Sequence, residues 1–272
     1  MPVTAGPGLP LEAEILLCAA RSRRPPAGAD RLPGLLRAGP DWEALLRSAR
    51  RLEVEPLLYR SLRAVPLTDA PAGVLERLQR AAYATAAHNL FLTTELLRLL
   101  RLFRARGLLA VPFKGPVLGA SAYGSPALRT FVDLDVLVAG RDVPPARRIL
   151  EQAGYRPRLT LTGFQWHAYL QSECSLDYVD RAGRATVELH WGLMPHYFGL
   201  PLRLDDLRGR LQTVPLGGTA VPSLGAEDLL LFLCLHGTKH RWASLKWVCD
   251  VAELLAAVGP LDWEGVTRRA TA

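Results

Sequence analysis

The spacing of apolar positions changes twice along the chain, and each change predicts a change of structure. Through the first hundred residues the apolar positions recur at helical spacing. Trp42, Leu45, Leu46 and Ala49 fall three and four apart behind Asp41, a residue suited to capping, which predicts a helix running to Leu52. A shorter helix is expected near 55–65, and Pro66 and Pro71 punctuate the loop after it. From Val74 to Arg106 there is neither Gly nor Pro, and Leu75, Leu78, Ala81, Ala82, Leu90, Leu97, Leu100 and Phe103 form one apolar stripe. That stretch predicts one long helix, or two joined by a bend.

The pattern changes at Gly107. Residues 108–113 are a short apolar run of the kind found in buried strands, and Lys114-Gly115-Pro116 leads from it into a short helix ending near Tyr123. Beyond the turn at Gly124-Ser125-Pro126, residues 131–138 alternate and read as a strand. The segment 144–154 opens with Pro and closes with Gly, the asymmetry of a helix. Residues 173–180 and 184–191 are two strands around Arg181-Ala182-Gly183, and 211–214 and 219–221 flank Gly217-Gly218 as a second hairpin. Helical spacing then returns. Ser223 is the expected cap of a helix ending near 238–241, residues 245–258 form the next up to Gly259-Pro260, and Asp262 opens a third. The expected fold is therefore α+β. A mixed α/β core spans residues 107–222, with helical regions at 1–106 and 223–272. The last helix carries no stop signal, so the helical region is expected to continue past Ala272.

Composition narrows the class. With 49% hydrophobic and 22% charged residues the chain is globular, and no apolar run reaches the roughly 18 residues a membrane span needs. Met1-Pro2-Val3-Thr4 offers no basic stretch ahead of an apolar one, so no signal peptide is expected, and the expected location is cytoplasmic. Cys18, Cys174, Cys234 and Cys249 form no Cys-x-x-Cys pair and are expected to be reduced. The net charge of +7 suggests a polyanionic partner, but only Lys114, Lys239 and Lys246 of the 33 basic residues are lysine. So strong a bias reads as codon composition, which leaves nucleic-acid binding with weak support. In a chain that writes its ordinary cations as Arg, a Lys marks a place where a compact ammonium is wanted.

The strand at 131–138 carries the most chemistry. Alternation puts Val132, Leu134, Val136 and Val138 on one face and Asp133 with Asp135 on the other. Two carboxylates about 7 Å apart along a strand repel unless a cation lies between them, and hard divalent metals are the natural cation. The strand at 184–191 repeats the pattern, with Val187, Leu189 and Trp191 behind and Thr186, Glu188 and His190 in front. On spacing alone His190 reads as a packed or hydrogen-bonded histidine rather than a catalytic base. Burying Leu176 against Leu189 and Tyr178 against Val187 sets the hairpin register, which brings Asp177 opposite Glu188 and Ser175 opposite His190. Asp177 is then a fourth carboxylate on the same face. Lys114-Gly115 joins a strand to a helix and suits a phosphate. His236, Lys239 and His240 share one helix face. Zinc is disfavoured there, because the Glu of His-Glu-x-x-His and a third ligand are missing. The face either turns toward a nucleotide or its acceptor, or packs on the core through polar contacts. Lys246 and Asp250 read as an ordinary i,i+4 pair.

Taken in order, strand-Lys114-Gly115-helix, Arg129, Asp133-Leu134-Asp135, Glu188-Leu189-His190-Trp191 and His236-Gly237-Thr238-Lys239-His240-Arg241-Trp242 resemble the uncharacterised nucleotidyltransferase family of the DNA polymerase beta-like superfamily. The likeness runs from about Ala87 to Asp250, with Pro116 standing where relatives commonly have Ser or Gly. It implies a small mixed β-sheet core flanked by helices, and a metal-dependent nucleotidyltransferase with Asp133, Asp135 and Glu188 as catalytic and metal-binding carboxylates around two Mg²⁺ ions. Lys114, Gly115, Arg129, Lys239 and His240 would bind the nucleoside triphosphate, ATP included. The nucleotidyl group would pass to a peptide, a metabolite or an RNA end, and pyrophosphate would leave. Two alternatives stand beside this reading: a toxin-like enzyme that modifies tRNA, and a non-catalytic protein that keeps the fold.

Overall fold

The structure, a computed structural model, describes residues 8–23, 30–67, 70–198 and 202–271, so the Met1–Thr4 stretch lies outside it. The N-terminal half is helical: α1 Leu11–Ala19, α2 Leu32–Arg37, α3 Trp42–Arg51, α4 Glu55–Leu62 and α5 Val74–Ala105. Asp41 opens α3 by accepting a hydrogen bond from the Ala44 amide at 3.0 Å. The 32-residue α5 is one continuous helix, about 48 Å long at 1.5 Å per residue. Its length lets it serve two cores. Val74, Leu78 and Ala82 pack with α1, α3 and α4, while Leu92, Leu96, Leu99 and Phe103 pack behind the sheet.

The middle of the chain runs β1 Val111–Pro112, α6 Gly115–Ser121, β2 Asp133–Leu137, α7 Val143–Gln152, β3 Tyr155–Pro157, α8 Gly163–Ser172, β4 Ser175–Asp180 and β5 Thr186–His190. A short α9, Leu204–Leu207, precedes β6 Gln212–Leu216 and β7 Thr219–Ser223. The main sheet has the order β1-β2-β5-β4-β3. Only the β2–β5 pair is parallel; the other three are antiparallel. β6 and β7 form the expected second hairpin as a separate two-stranded sheet. The fold is thus α+β with a mixed sheet.

Several boundaries shift. The expected strand at 108–113 pairs only over Val111–Pro112. β2 begins at Asp133, and Val132, expected on the apolar face, is 67% exposed just outside the ladder. Tyr155–Pro157 and α8 do not show in the apolar spacing; α8 has no fully buried side chain to leave such a trace. Ser223 does not cap a helix. Its hydroxyl donates to the Pro112 carbonyl and ties β7 to β1, and the helix starts later, at Ala226 behind Gly225.

The chain closes with α10 Ala226–Lys239, α11 Leu245–Ala257 and α12 Trp263–Ala270. Leu229, Leu230, Phe232, Leu233 and Leu254 from these helices enter the same core as α1, α3 and α4. The two ends of the sequence therefore pack together and brace one end of the sheet. Among the described residues no helix is long and apolar enough to cross a membrane.

Candidate active site

Alternation along β2 sends Leu134 and Val136 into the core behind the sheet and leaves Asp133 and Asp135 in front. β5 does the same with Val187 and Leu189 behind, and Glu188 and His190 in front. Parallel pairing sets Asp135 directly beside Glu188. On the other side of β5, the β4 register pairs Asp177 with Glu188 and Ser175 with His190, as the burial of Leu176 with Leu189 requires.

A cavity of about 310 Å³ lies over this front. Lys114, Asp133, Asp177, Glu188 and His190 line it from the sheet side. Facing them across the space, α10 and its end contribute His236, Lys239 and His240. The His236 and His240 rings stand 4.6 Å apart and pack against Trp247, so the basic face of α10 is turned to the cavity. The helix stops there because Arg241 and Trp242 take positive φ values, which lay the Trp242 ring flat on Gly237 where any Cβ would clash. The two histidines gather no third metal ligand. Among the described residues the side chains able to share an ion are Asp135, Glu188 and His190.

Asp135 is 2% exposed beneath the cavity. Lys114 Nζ lies 2.6 Å from its Oδ1, with the lysine passing between the Phe113 and Phe232 rings. Ser175 Oγ donates to Glu188 Oε1 at 2.6 Å, which leaves Oε2 facing His190 Nε2 at 3.3 Å. His190 Nε2 is also 3.4 Å from Asp135 Oδ1. Neither contact is aligned as a hydrogen bond, and Asp135 Oδ2 and His190 Nε2 are buried without a partner. Native interiors rarely leave such groups unpaired, since each costs on the order of 1–3 kcal/mol.

The charges here perturb one another. The Asp135 carboxylate, helped by burial, pushes Asp133 up to about 6. Burial alone would raise Asp135 too, but Lys114 and His190 hold it below its ordinary value. Glu188 is likewise held down, mainly by His190 and Lys114, against the pull of burial. Burial would lower His190 and Lys114, yet the surrounding carboxylates raise both. Across the cavity, burial and then the Lys114 charge push His236 down to about 3, so it is neutral at ordinary pH.

Two expected nucleotide-binding residues sit elsewhere. Arg129 is 5% exposed and turns away from the cavity, its guanidinium held by Asp250 on α11. Gly115 does not line the cavity. It has φ +52°, and its Cα passes so close to the Asp133 carbonyl that a Cβ would stand 3.3 Å from it. Its part is to let the Lys114 turn approach β2. Asp250, read as a partner of Lys246, belongs to Arg129, and Lys246 instead reaches Glu53 at 2.6 Å. A solvated i,i+4 pair is worth only about 0.2–0.5 kcal/mol, too little to draw Asp250 away from the buried Arg129. Residues that spacing alone did not single out are Cys174 and Met194, which line the cavity, and His190, whose front-facing position beside Glu188 was the available signal.

The sequence model of a family described as uncharacterised nucleotidyltransferase matches residues 38–272. The chain belongs to this family. It is a nucleotidyltransferase by family, and the match extends the likeness read from the motifs at both ends. No curated protein matches the chain. Among solved structures it is similar to ANT(2'')-Ia in complex with adenylyl-2''-tobramycin, at 13% identity and a TM-score of 0.47, over 66% of this chain and 94% of that one. It is also similar to the lincosamide antibiotic adenylyltransferase LnuA, at 16% identity and a TM-score of 0.40, over 61% of this chain and 97% of that one. An antigenic nucleotidyltransferase-like protein from Paracoccidioides brasiliensis shares 13% identity at a TM-score of 0.39, over 66% and 85% of the two chains.

Proposed function

We propose that the protein is a divalent-metal-dependent nucleotidyltransferase that moves a nucleoside monophosphate from a nucleoside triphosphate to a hydroxyl or amine of an acceptor, with release of pyrophosphate. The observation that carries this reading is Asp135: a buried carboxylate beside Glu188, with one oxygen unpartnered under a cavity walled by cations. The donor set fits a divalent cation, since Asp135 and Glu188 bring carboxylate oxygens together and Asp133 stands crowded beside them. When bound, such an ion stabilises charge on the attacking and leaving oxygens of an in-line displacement.

The chain's own residues do the rest. Lys114 and Lys239 reach the cavity from opposite walls and meet the negative charge of the triphosphate. His236, neutral at ordinary pH, offers a hydrogen bond rather than a charge. Glu188 and Asp177, side by side at the cavity, are the carboxylates placed to accept the acceptor's proton. Burial and the Glu188 charge raise Asp177 above its ordinary value.

Wild type and Asp135→Asn are compared for triphosphate binding and for pyrophosphate release with a divalent ion present. Binding and release should be lost in the variant. Equal triphosphate affinity in the two proteins would overturn the reading, and binding without release would mark a binding protein instead. Retention on RNA at moderate salt separates an RNA acceptor from a peptide or metabolite.

A further inference from the structure

Mg²⁺ is ordinarily held by oxygen alone. The ligand atoms that converge in this site are not all oxygen. One atom each from Asp135, Glu188 and His190 lies within 4.8 Å of the other two, and Asp133 is not among them. We infer that His190 is a protein ligand of the site's cation, and that the site therefore takes a first-row transition ion such as Mn²⁺ ahead of Mg²⁺. The inference rests on the proposed metal-dependent function and names the ion class.

Spacing comes first. His190 Nε2 stands 3.4 Å from Asp135 Oδ1 and 3.3 Å from Glu188 Oε2. Neither contact is aligned as a hydrogen bond, and Nε2 is left buried without a partner. Two ligand atoms each about 2.1 Å from a shared ion are separated by about 3.0 Å at a right angle and about 3.4 Å at a tetrahedral one. His190 Nε2 is thus spaced from an oxygen of each carboxylate as a ligand rather than as a hydrogen-bond partner; the near oxygen of Asp135 is the one Lys114 holds, so an ion would take the adjoining Oδ2.

Orientation agrees. His190 Nδ1 faces the Gly192 carbonyl at 3.3 Å. A carbonyl only accepts, so Nδ1 keeps its proton, and Nε2 is the nitrogen that would give its proton up to an ion held between the carboxylates. A ring whose other nitrogen donates to a backbone carbonyl is the usual setting of a metal-bound histidine. Phe113 meets the His190 ring edge to face at 5.0 Å and fixes its plane. Ser175 occupies Glu188 Oε1 and leaves Oε2 for an ion, and Lys114 sits on one oxygen of Asp135 and leaves the other unpartnered. Asp135 and His190 are 2% and 3% exposed, so these open valences are not satisfied by bulk water.

The ion class follows from the nitrogen. Carboxylates alone suit Mg²⁺, Ca²⁺ and Mn²⁺, whereas imidazole shifts preference toward transition ions in the order of their affinity for nitrogen. Mn²⁺ is the mildest of these and accepts the remaining oxygen ligands.

The test titrates metal-free protein with Mn²⁺ and with Mg²⁺, and records pulsed EPR of the Mn²⁺ form. Wild type is expected to bind Mn²⁺ at least about tenfold tighter than Mg²⁺ and to show coupling from one imidazole nitrogen. His190→Asn should weaken Mn²⁺ by about tenfold or more while changing Mg²⁺ less than about threefold. No nitrogen coupling in wild type, or an unchanged Mn²⁺/Mg²⁺ ratio in the variant, overturns the inference; the first needs no variant to fold. If Mg²⁺ still supports triphosphate binding and Asp135→Asn abolishes it, the proposed function stands while the role of His190 falls. If the protein binds neither ion nor triphosphate, both fall.

Discussion

Arg129 and Asp135 lie on the same short stretch of chain and both are buried, yet their partners differ in kind. Arg129 Nε and Nη2 reach the two oxygens of Asp250 at 2.7 and 2.8 Å, and Tyr123 OH adds a third bond at 2.7 Å. Both oxygens of Asp250 are taken, and the planar guanidinium matches the carboxylate in a fork. Asp135 instead faces an ammonium at 2.6 Å and an imidazole at 3.4 Å, while its Oδ2 meets nothing. The first group is closed and joins α11 to the loop that leads into β2. The second is open, over a cavity. A buried charge with every valence filled holds a structure in one arrangement, and one with valences left over is available to a ligand.

The largest effect expected is on the closed group. Arg129→Ala leaves Asp250 buried without its cation, and breaking such a pair costs about 3–5 kcal/mol. Urea unfolding should show it. The double variant Arg129→Met with Asp250→Leu should recover much of the loss, because an apolar pair of similar volume replaces the ions. A midpoint unmoved by Arg129→Ala would mean the closed group is not structural.

Next comes the open group. Asp135→Asn is expected to keep the fold, since relief of repulsion with Asp133 and Glu188 offsets part of the lost attraction to Lys114. Turnover should fall about a hundredfold or more, about 3 kcal/mol on the barrier. Loss of fold together with activity would make Asp135 resemble Asp250 and erase the contrast.

Crowding also has a pH signature. Asp133 stands at about 6 in the fold against an ordinary 3.8. Between those values the folded protein holds the proton more firmly than the unfolded chain, so stability falls as pH rises through that window. At 1.36 kcal/mol per pKa unit the loss is about 2–3 kcal/mol. Wild type and Asp133→Asn are compared in a chelator; the variant should lose this slope. Parallel stability curves would show that Asp135 does not press on Asp133.

The two groups were not equally legible in the sequence. The open one is written in period two: Asp133 with Asp135, Glu188 with His190, and a hairpin register fixed by which apolar sets must be buried together. What alternation could not supply is the parallel β2–β5 pairing, so His190 reads as a packed side chain until Asp135 arrives beside Glu188. The closed group leaves almost no local trace. Asp250 and Lys246 look like each other's partners four residues apart, but Arg129 is 121 positions from the one and Glu53 is 193 from the other. Long-range desolvation chose those partners, and no periodicity records it. α3 was legible from its buried stripe and α5 from its length without Gly or Pro, although Leu90 of the expected α5 stripe is 68% exposed and Leu92, Leu96 and Leu99 are buried instead; α8 buries no side chain fully and left no trace.

The smallest effect sharpens where the open group ends. Asp177 sits opposite Glu188 and lines the same cavity, but its side chain is 41% exposed and Arg158 Nε approaches its Oδ2 at 3.5 Å. Solvent and the guanidinium both screen it. Like charges directly opposite across an antiparallel pair cost roughly 0.2–1 kcal/mol, so Asp177→Asn should raise stability by about 0.5 kcal/mol in the absence of metal. If Glu188 is the main third carboxylate, turnover in Asp177→Asn should fall less than about tenfold, well short of the Asp135→Asn loss. The acid limb of the rate profile should also move, because the variant removes a carboxyl that burial and Glu188 hold above its ordinary range. A hundredfold loss would place Asp177 with Asp135 among the residues the reaction depends on, and the open group would then extend across β5 onto β4.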